Sequence, residues 1–162
     1  MVVVSNTSPL SNLAIIGRLG LLRDQFGSVL VPVAVRQELS NLRHSAAARS
    51  LDCAFTDGWL CVTPLSQAVP GEVSASLHPG ESEALGLALE QGADWVLLDD
   101  GDARSRAAQL KLRFIGVLGV LLRGKKEGQI SSLREEIRRL REEARFFVAR
   151  ALEVELLKAV GE

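Results

Sequence analysis

Tyrosine is absent from this 162-residue chain, and five phenylalanines and two tryptophans are its only other large aromatics. So sparse a set argues against an aromatic platform of the kind that stacks and reads single-stranded RNA. Cysteine is almost as scarce. Cys53 and Cys61 stand eight positions apart, which is not a zinc spacing, and no His or Cys cluster completes a site. Two free thiols and a reducing, cytoplasmic setting are the expectation. An excess of one charge is also missing: 19 Lys and Arg face 20 Asp and Glu, a net charge of −1. No global positive field draws in a nucleic acid, so such a partner has to be held by a local patch or through metal ions. No run approaches the roughly 18 consecutive apolar residues of a membrane span. The opening Met1–Ser5 has no basic region, long apolar segment or cleavage site, so no export is expected. No G-x-x-x-x-G-K-[ST] phosphate loop occurs, and no Ser-His-Asp set is evident. Neither His44 nor His78 sits in a catalytic motif, and both are expected to be surface or structural residues.

What is present is alternation. Short apolar runs at Val2–Val4, Val29–Val31, Leu60–Thr63, Trp95–Leu98 and Phe114–Val117 are bounded by Gly, Asp or Pro. Runs apolar on both faces are the mark of parallel strands covered by helices on either side. Helix signals fall between them. Ser8-Pro9 suits a cap followed by a first-turn proline, and Pro32 opens a helix to about Leu42. Pro79-Gly80-Glu81 opens another that Gly92 ends, and Asp102–Leu110 and Val117–Arg123 read as two more. The order βα-βα-βα-βα-β followed by C-terminal helices predicts a single three-layer α/β/α domain with a mainly parallel sheet. Its core spans about residues 2–124, with a helical extension over about 128–162. Segment Gln67–Leu77 reads as a surface loop. The tail from Leu133 to Val160 is amphipathic, with a break expected near Glu143–Phe147. It serves either packing on the domain or assembly with a partner.

In open parallel sheets the functional crevice lies beyond the carboxyl ends of the strands. That rule gathers Ser5-Asn6-Thr7-Ser8 after the first strand and Asp99-Asp100-Gly101-Asp102 after the fourth. It adds Glu38 from the helix after the second strand and Glu81 and Glu83 from the helix before the fourth. Each has an ordinary explanation alone, as a helix cap, a turn or a solvated charge, and joint placement at one sheet edge gives them meaning. Carboxylates gathered without matching bases stay charged most easily around a divalent cation. Oxygen donors without His or Cys suit Mg²⁺ or Mn²⁺, ions that serve in-line phosphodiester cleavage.

The pieces VVVSNTSPLSNLAIIGRLGLL, VPVAVRQEL, PGESEALGLALEQGADWVLLDDGDAR and FIGVLGVLLRGKKEGQI, in this order and spacing, resemble a PIN domain, in particular the VapC-like toxin ribonucleases. The resemblance covers about residues 2–124. It implies a metal-dependent endoribonuclease acting on single-stranded RNA, paired with a small antitoxin and forming a homodimer. It assigns the family's four acidic positions to Asn6, Glu38, Glu83 and Asp100. Asp99 stands next to the last as a competing ligand, and Glu81 assists near the third. Thr7 or Ser8 supplies a hydroxyl that orients the first-strand group or a metal-bound water. Asn6 departs from the family, which carries Asp there. An amide oxygen can coordinate a cation, but it supplies no charge and cannot act as a general base. The alternative expectation is therefore a PIN-like module that binds RNA or protein with weakened or absent catalysis. Arg36, Arg43, Arg104 and Arg106 are the candidate phosphate contacts; a solvated basic face is the plainer explanation.

Overall fold

The computed structural model describes residues 1–162 and contains five strands and ten helices. In chain order they are β1 (Val3–Ser5), α1 (Thr7–Ile15), α2 (Gly20–Phe26), β2 (Val29–Val31), α3 (Val33–Leu39), α4 (Ser45–Thr56), β3 (Leu60–Val62), α5 (Gly71–Ser74), α6 (Pro79–Gln91), β4 (Trp95–Leu97), α7 (Gly101–Gln109), β5 (Phe114–Ile115), α8 (Val117–Lys126), α9 (Leu133–Glu142) and α10 (Arg150–Ala159). Every strand pairing is parallel, and the sheet order is β3-β2-β1-β4-β5.

Strand alternation sorts the apolar side chains into two cores. Val3 and Leu97 face one side with the leucines of α1, α2, α8 and α9, in a cluster of 27 buried residues. Val4, Val96 and Leu98 face the other, where Val73 of α5 and the apolar residues of α6 and α7 form a cluster of 10. Neighbouring residues serve opposite faces, so each run has to be apolar throughout. The larger core takes in Leu133, Ile137, Leu140, Val148 and Leu157, so the C-terminal helices are packed into it. An ion pair pins them further: half-exposed Arg18 meets the buried Glu136 at 2.6 Å, joining the α1–α2 turn to α9.

Several boundaries differ from the sequence expectation; α1, for one, opens at Thr7 with Asn6 at the cap position, so Ser8-Pro9 lies inside its first turn rather than at its start. The last strand stops at Ile115, because Val117 opens α8 and gives its N–H to Asp99. The Pro32 helix ends at Leu39 rather than near Leu42, so Arg43 lies beyond it. The segment Gln67–Leu77 contains a single turn, α5, held by the buried Val73. The tail breaks where expected, between α9 and α10. β2 and β3 are added on one side of β1, after which the chain crosses to β4 on the other. This reversal places a crevice at the carboxyl ends of β1 and β4.

Candidate metal and nucleic-acid site

That crevice is an open cleft of about 480 Å³, lined by Asn6, Thr7, Ser8, Ser11, Glu38, His78, Glu81, Asp99, Asp100 and Phe146. Only one lining residue, Phe146, is apolar. Helix N-termini hold the carboxylates, where free N–H groups and the positive end of the dipole favour negative charge. Glu38 Oε1 accepts from Gly80 N at the start of α6, 3.1 Å away, and the Thr7 hydroxyl donates to its other oxygen. Asp99 accepts from Val117 N of α8 at 2.8 Å and from the Ser8 hydroxyl at 3.3 Å. Asp100 caps α7, accepting from Asp102 N at 2.9 Å and Ala103 N at 3.0 Å. Two glycines make these seats possible. A Cβ on Gly80 would sit 2.6 Å from both Glu38 carboxylate oxygens. One on Gly116 would sit 2.6 Å from Asp99 Oδ1 and would collide with the Arg104 guanidinium.

The acids are only partly compensated. Burial pushes the Glu81 carboxyl above its usual range; His78 pulls it down, while Asp100 and Glu38 add repulsion. Burial likewise raises Asp99, against the opposing pull of the Val117 N–H, Arg104 and Ser8. Arg104 Nη2 lies 3.9 Å from Asp99 Oδ1. The Asn6 side-chain oxygen is buried with no hydrogen-bond partner, an expensive condition for a polar atom unless a ligand completes it. No three His, Cys, Asp or Glu side chains stand close enough together to form a ready coordination sphere. The donor chemistry nonetheless suits a hard divalent cation, with an orphaned amide oxygen, four carboxylates and three hydroxyls around one cleft.

The cleft brings together Asn6, Thr7, Ser8, Glu38, Glu81, Asp99 and Asp100. Glu83 is not among them, which corrects its placement beside the other acids. Two residues along a helix turn the side chain by about 200°, so when Glu81 faces the cleft Glu83 faces α3. There it accepts from Ala34 N at 2.9 Å and caps that helix. The arginines divide as well. Arg36 lies over the Phe55 ring at 4.4 Å and 3.3 Å from Asp52, so it braces α4. Arg106 donates to the carbonyls of Glu72 and Ala75 and braces the α5 turn. Arg43 is exposed in the connection between α3 and α4. Arg104 alone of the four reaches a cleft carboxylate.

Sequence reasoning missed His78 as a cleft residue. It caps α6, with Nδ1 accepting from Glu81 N at 3.5 Å, and Nε2 lies 2.7 Å from Glu81 Oε1. Nδ1 is also 3.5 Å from Glu38 Oε1, so the ring lies between two cleft acids. Its position just before Pro79-Gly80, one residue ahead of a helix start, was the available signal. Ser11 is one turn along α1 from Ser8, a spacing that the α1 reading already contained. Phe146 arrives from the distant α9–α10 break, and no local motif marks it.

An all-parallel α/β sandwich with an acidic cleft at its switch point defines the class. The family model described as DUF3368, PIN domain, matches residues 2–162, and the chain belongs to that family. Among solved structures, a PilT N-terminus domain protein from the hyperthermophilic archaeon Sulfolobus solfataricus is similar. It has a TM-score of 0.54 and 23% identity over 74% of this chain and 90% of that one. At that identity the likeness is one of fold. A search of curated proteins finds no significant match. No helix is long and apolar enough to cross a membrane.

Proposed function

We propose that this PIN-domain protein is an endoribonuclease that cuts single-stranded RNA with Mg²⁺ or Mn²⁺, as the VapC-like toxin of a toxin–antitoxin pair. The observation that carries the reading is the partnerless buried oxygen of Asn6 among four cleft carboxylates. Asn6, Glu38, Glu81, Asp99 and Asp100 would hold the cation, with Glu83 reassigned to structure. A bound divalent ion lowers the pKa of water and neutralises charge developing on phosphate. The chain's own side chains do the rest. Thr7 and Ser8 fix the orientation of Glu38 and Asp99. Arg104, anchored on the Leu98 carbonyl at 2.9 Å, presents a guanidinium to a phosphate at the rim. A small antitoxin and a second copy of the chain are the partners this reading expects.

A second reading is a binding module that retains the fold and holds RNA or protein without cutting. Asn6 favours it, because it removes a charge and a base from the first-strand position. The discriminating experiment incubates purified protein with a broad set of single-stranded RNAs and Mn²⁺ or Mg²⁺. Cleavage that stops with EDTA supports the nuclease. Metal binding by calorimetry without any cleavage supports the second reading. Asn6→Asp should tighten metal binding, and unchanged affinity would remove residue 6 from the site.

A further inference from the structure

The scarcity of aromatics makes their placement informative. Three of the five phenylalanines, Phe114, Phe146 and Phe147, line one groove of about 450 Å³ beside the cleft. Ile115, Leu118, Leu152 and Leu156 complete its apolar wall. Asp99 and Phe146 line both this groove and the cleft, so the two concavities adjoin. Phe147 is 86% exposed and Leu152 40%. Exposed apolar residues scattered singly mean little, whereas a cluster beside a polar site does. The connection that presents Phe147 is anchored on both sides. Phe146 N donates to the Leu140 carbonyl at 2.9 Å, and Arg141 Nη2 to the Val148 carbonyl at 2.8 Å.

We propose that this groove is a base-stacking subsite, which seats a nucleobase of single-stranded RNA next to the phosphate held in the acidic cleft. The inference rests on the RNA-cleavage reading for its ligand. A nucleotide is planar and apolar at one end and anionic at the other, and the two adjoining surfaces differ in the same way. Phenylalanine faces offer sequence-tolerant stacking. The Arg104 guanidinium stands at the junction, 5.5 Å from the Phe114 ring centre and 3.9 Å from Asp99, where the sugar–phosphate link would pass. Adjacency to the cleft and that cation favour RNA over a second copy of the chain or a protein segment, which would require neither.

The test uses the full chain, a single-stranded RNA carrying 4-thiouridine, and the variants Phe147→Ala and Phe147→Trp. Because Phe147 is exposed, both should fold, and circular dichroism checks this. Photo-crosslinks should map to the peptide around Phe146–Leu152. Phe147→Ala should weaken RNA binding and raise KM by about tenfold with little change in kcat, and Phe147→Trp should restore both. Crosslinks elsewhere, or wild-type binding by Phe147→Ala, overturn the proposal. So does a change in oligomeric state with RNA binding untouched, which would make the groove a subunit interface. Wild-type protein that crosslinks through the groove but never cuts RNA removes the nuclease reading and leaves the subsite standing. Cleavage indifferent to Phe147 removes the subsite alone. Absence of any RNA binding removes both.

Discussion

The cleft and the C-terminal helices put acidic side chains to opposite ends. In the tail, Glu135 is held below the usual carboxylate range by its hydrogen bond to Arg138, and Glu153 by its hydrogen bond to Arg141. Glu162 is also lowered: burial works against it, but Leu133 N, the Ser132 hydroxyl and Arg134 N outweigh that. In the cleft, Glu81 and Asp99 are raised by burial that their partners only partly offset. Paired acids on a helix surface stabilise the fold a little and can be spared. Crowded acids with few cations are destabilising when charged, and they persist where a ligand completes them.

The largest expected effect is functional. Glu38→Gln, Glu81→Gln or Asp99→Asn should each lower the RNA-cleavage rate by on the order of 10²-fold or more, measured in single-turnover assays. Glu135→Gln in the tail should leave that rate unchanged. Equal losses in the two regions would erase the distinction between them.

Next comes the tail's one buried charge. Glu136 is only 3% exposed, with Oε2 lacking a hydrogen bond, and Arg18 supplies its close ion pair. Leaving a buried acceptor without its partner costs about 1–3 kcal/mol, and the Arg18 side chain is itself 36% exposed, so Arg18→Ala should lower the urea midpoint. Arg139, 3.6 Å from Glu136, is placed to soften that loss. Folded Arg18→Ala protein should still cleave RNA, and a stability equal to wild type would mean that the pair is dispensable.

Glu81 and Glu83 sharpen the comparison within a single helix. Loss of a helix cap costs about 1 kcal/mol, so Glu83→Ala should destabilise by that amount and leave metal affinity unchanged. Glu81→Gln should do the reverse. Calorimetry with Mn²⁺ and chemical denaturation of both variants read the two quantities separately.

The smallest effect is the pH dependence. A raised folded-state pKa means that the native state holds its proton more tightly than the unfolded chain. Stability from Glu81 and Asp99 is therefore greatest at low pH. It falls as pH rises from their ordinary values of 4.5 and 3.8 through the raised ones. The lowered tail acids act with opposite sign, and their contribution is lost as pH drops below the ordinary range. The melting temperature of Asp99→Asn relative to wild type should increase between about pH 4 and pH 7. A difference that stays flat with pH would show that Asp99 carries no such penalty.

Much of this was legible in the sequence, for physical reasons that also mark where legibility stopped. Val29–Val31 and Trp95–Leu98 read as parallel strands because alternation feeds two cores at once, as Val96 and Leu97 now show. The carboxyl-edge rule carried Asn6, Glu38 and the Asp99-Asp100 pair to one crevice. It could not choose between Glu81 and Glu83, because that depends on helix rotation fixed by packing against α3. Nor could it find Phe146, which the break between α9 and α10 brings in from 40 residues or more along the chain. The low aromatic count argued against a stacking surface, and it could not show that three of the five phenylalanines lie along one groove.

Titration of Mn²⁺ into wild-type protein, Asp99→Asn and Glu83→Gln, followed by calorimetry at neutral pH, bears most directly on the cleft as a cation site. The account predicts saturable binding to wild type and Glu83→Gln, with a marked loss in Asp99→Asn. Wild type that takes up no Mn²⁺, or three proteins that bind it alike, would contradict it.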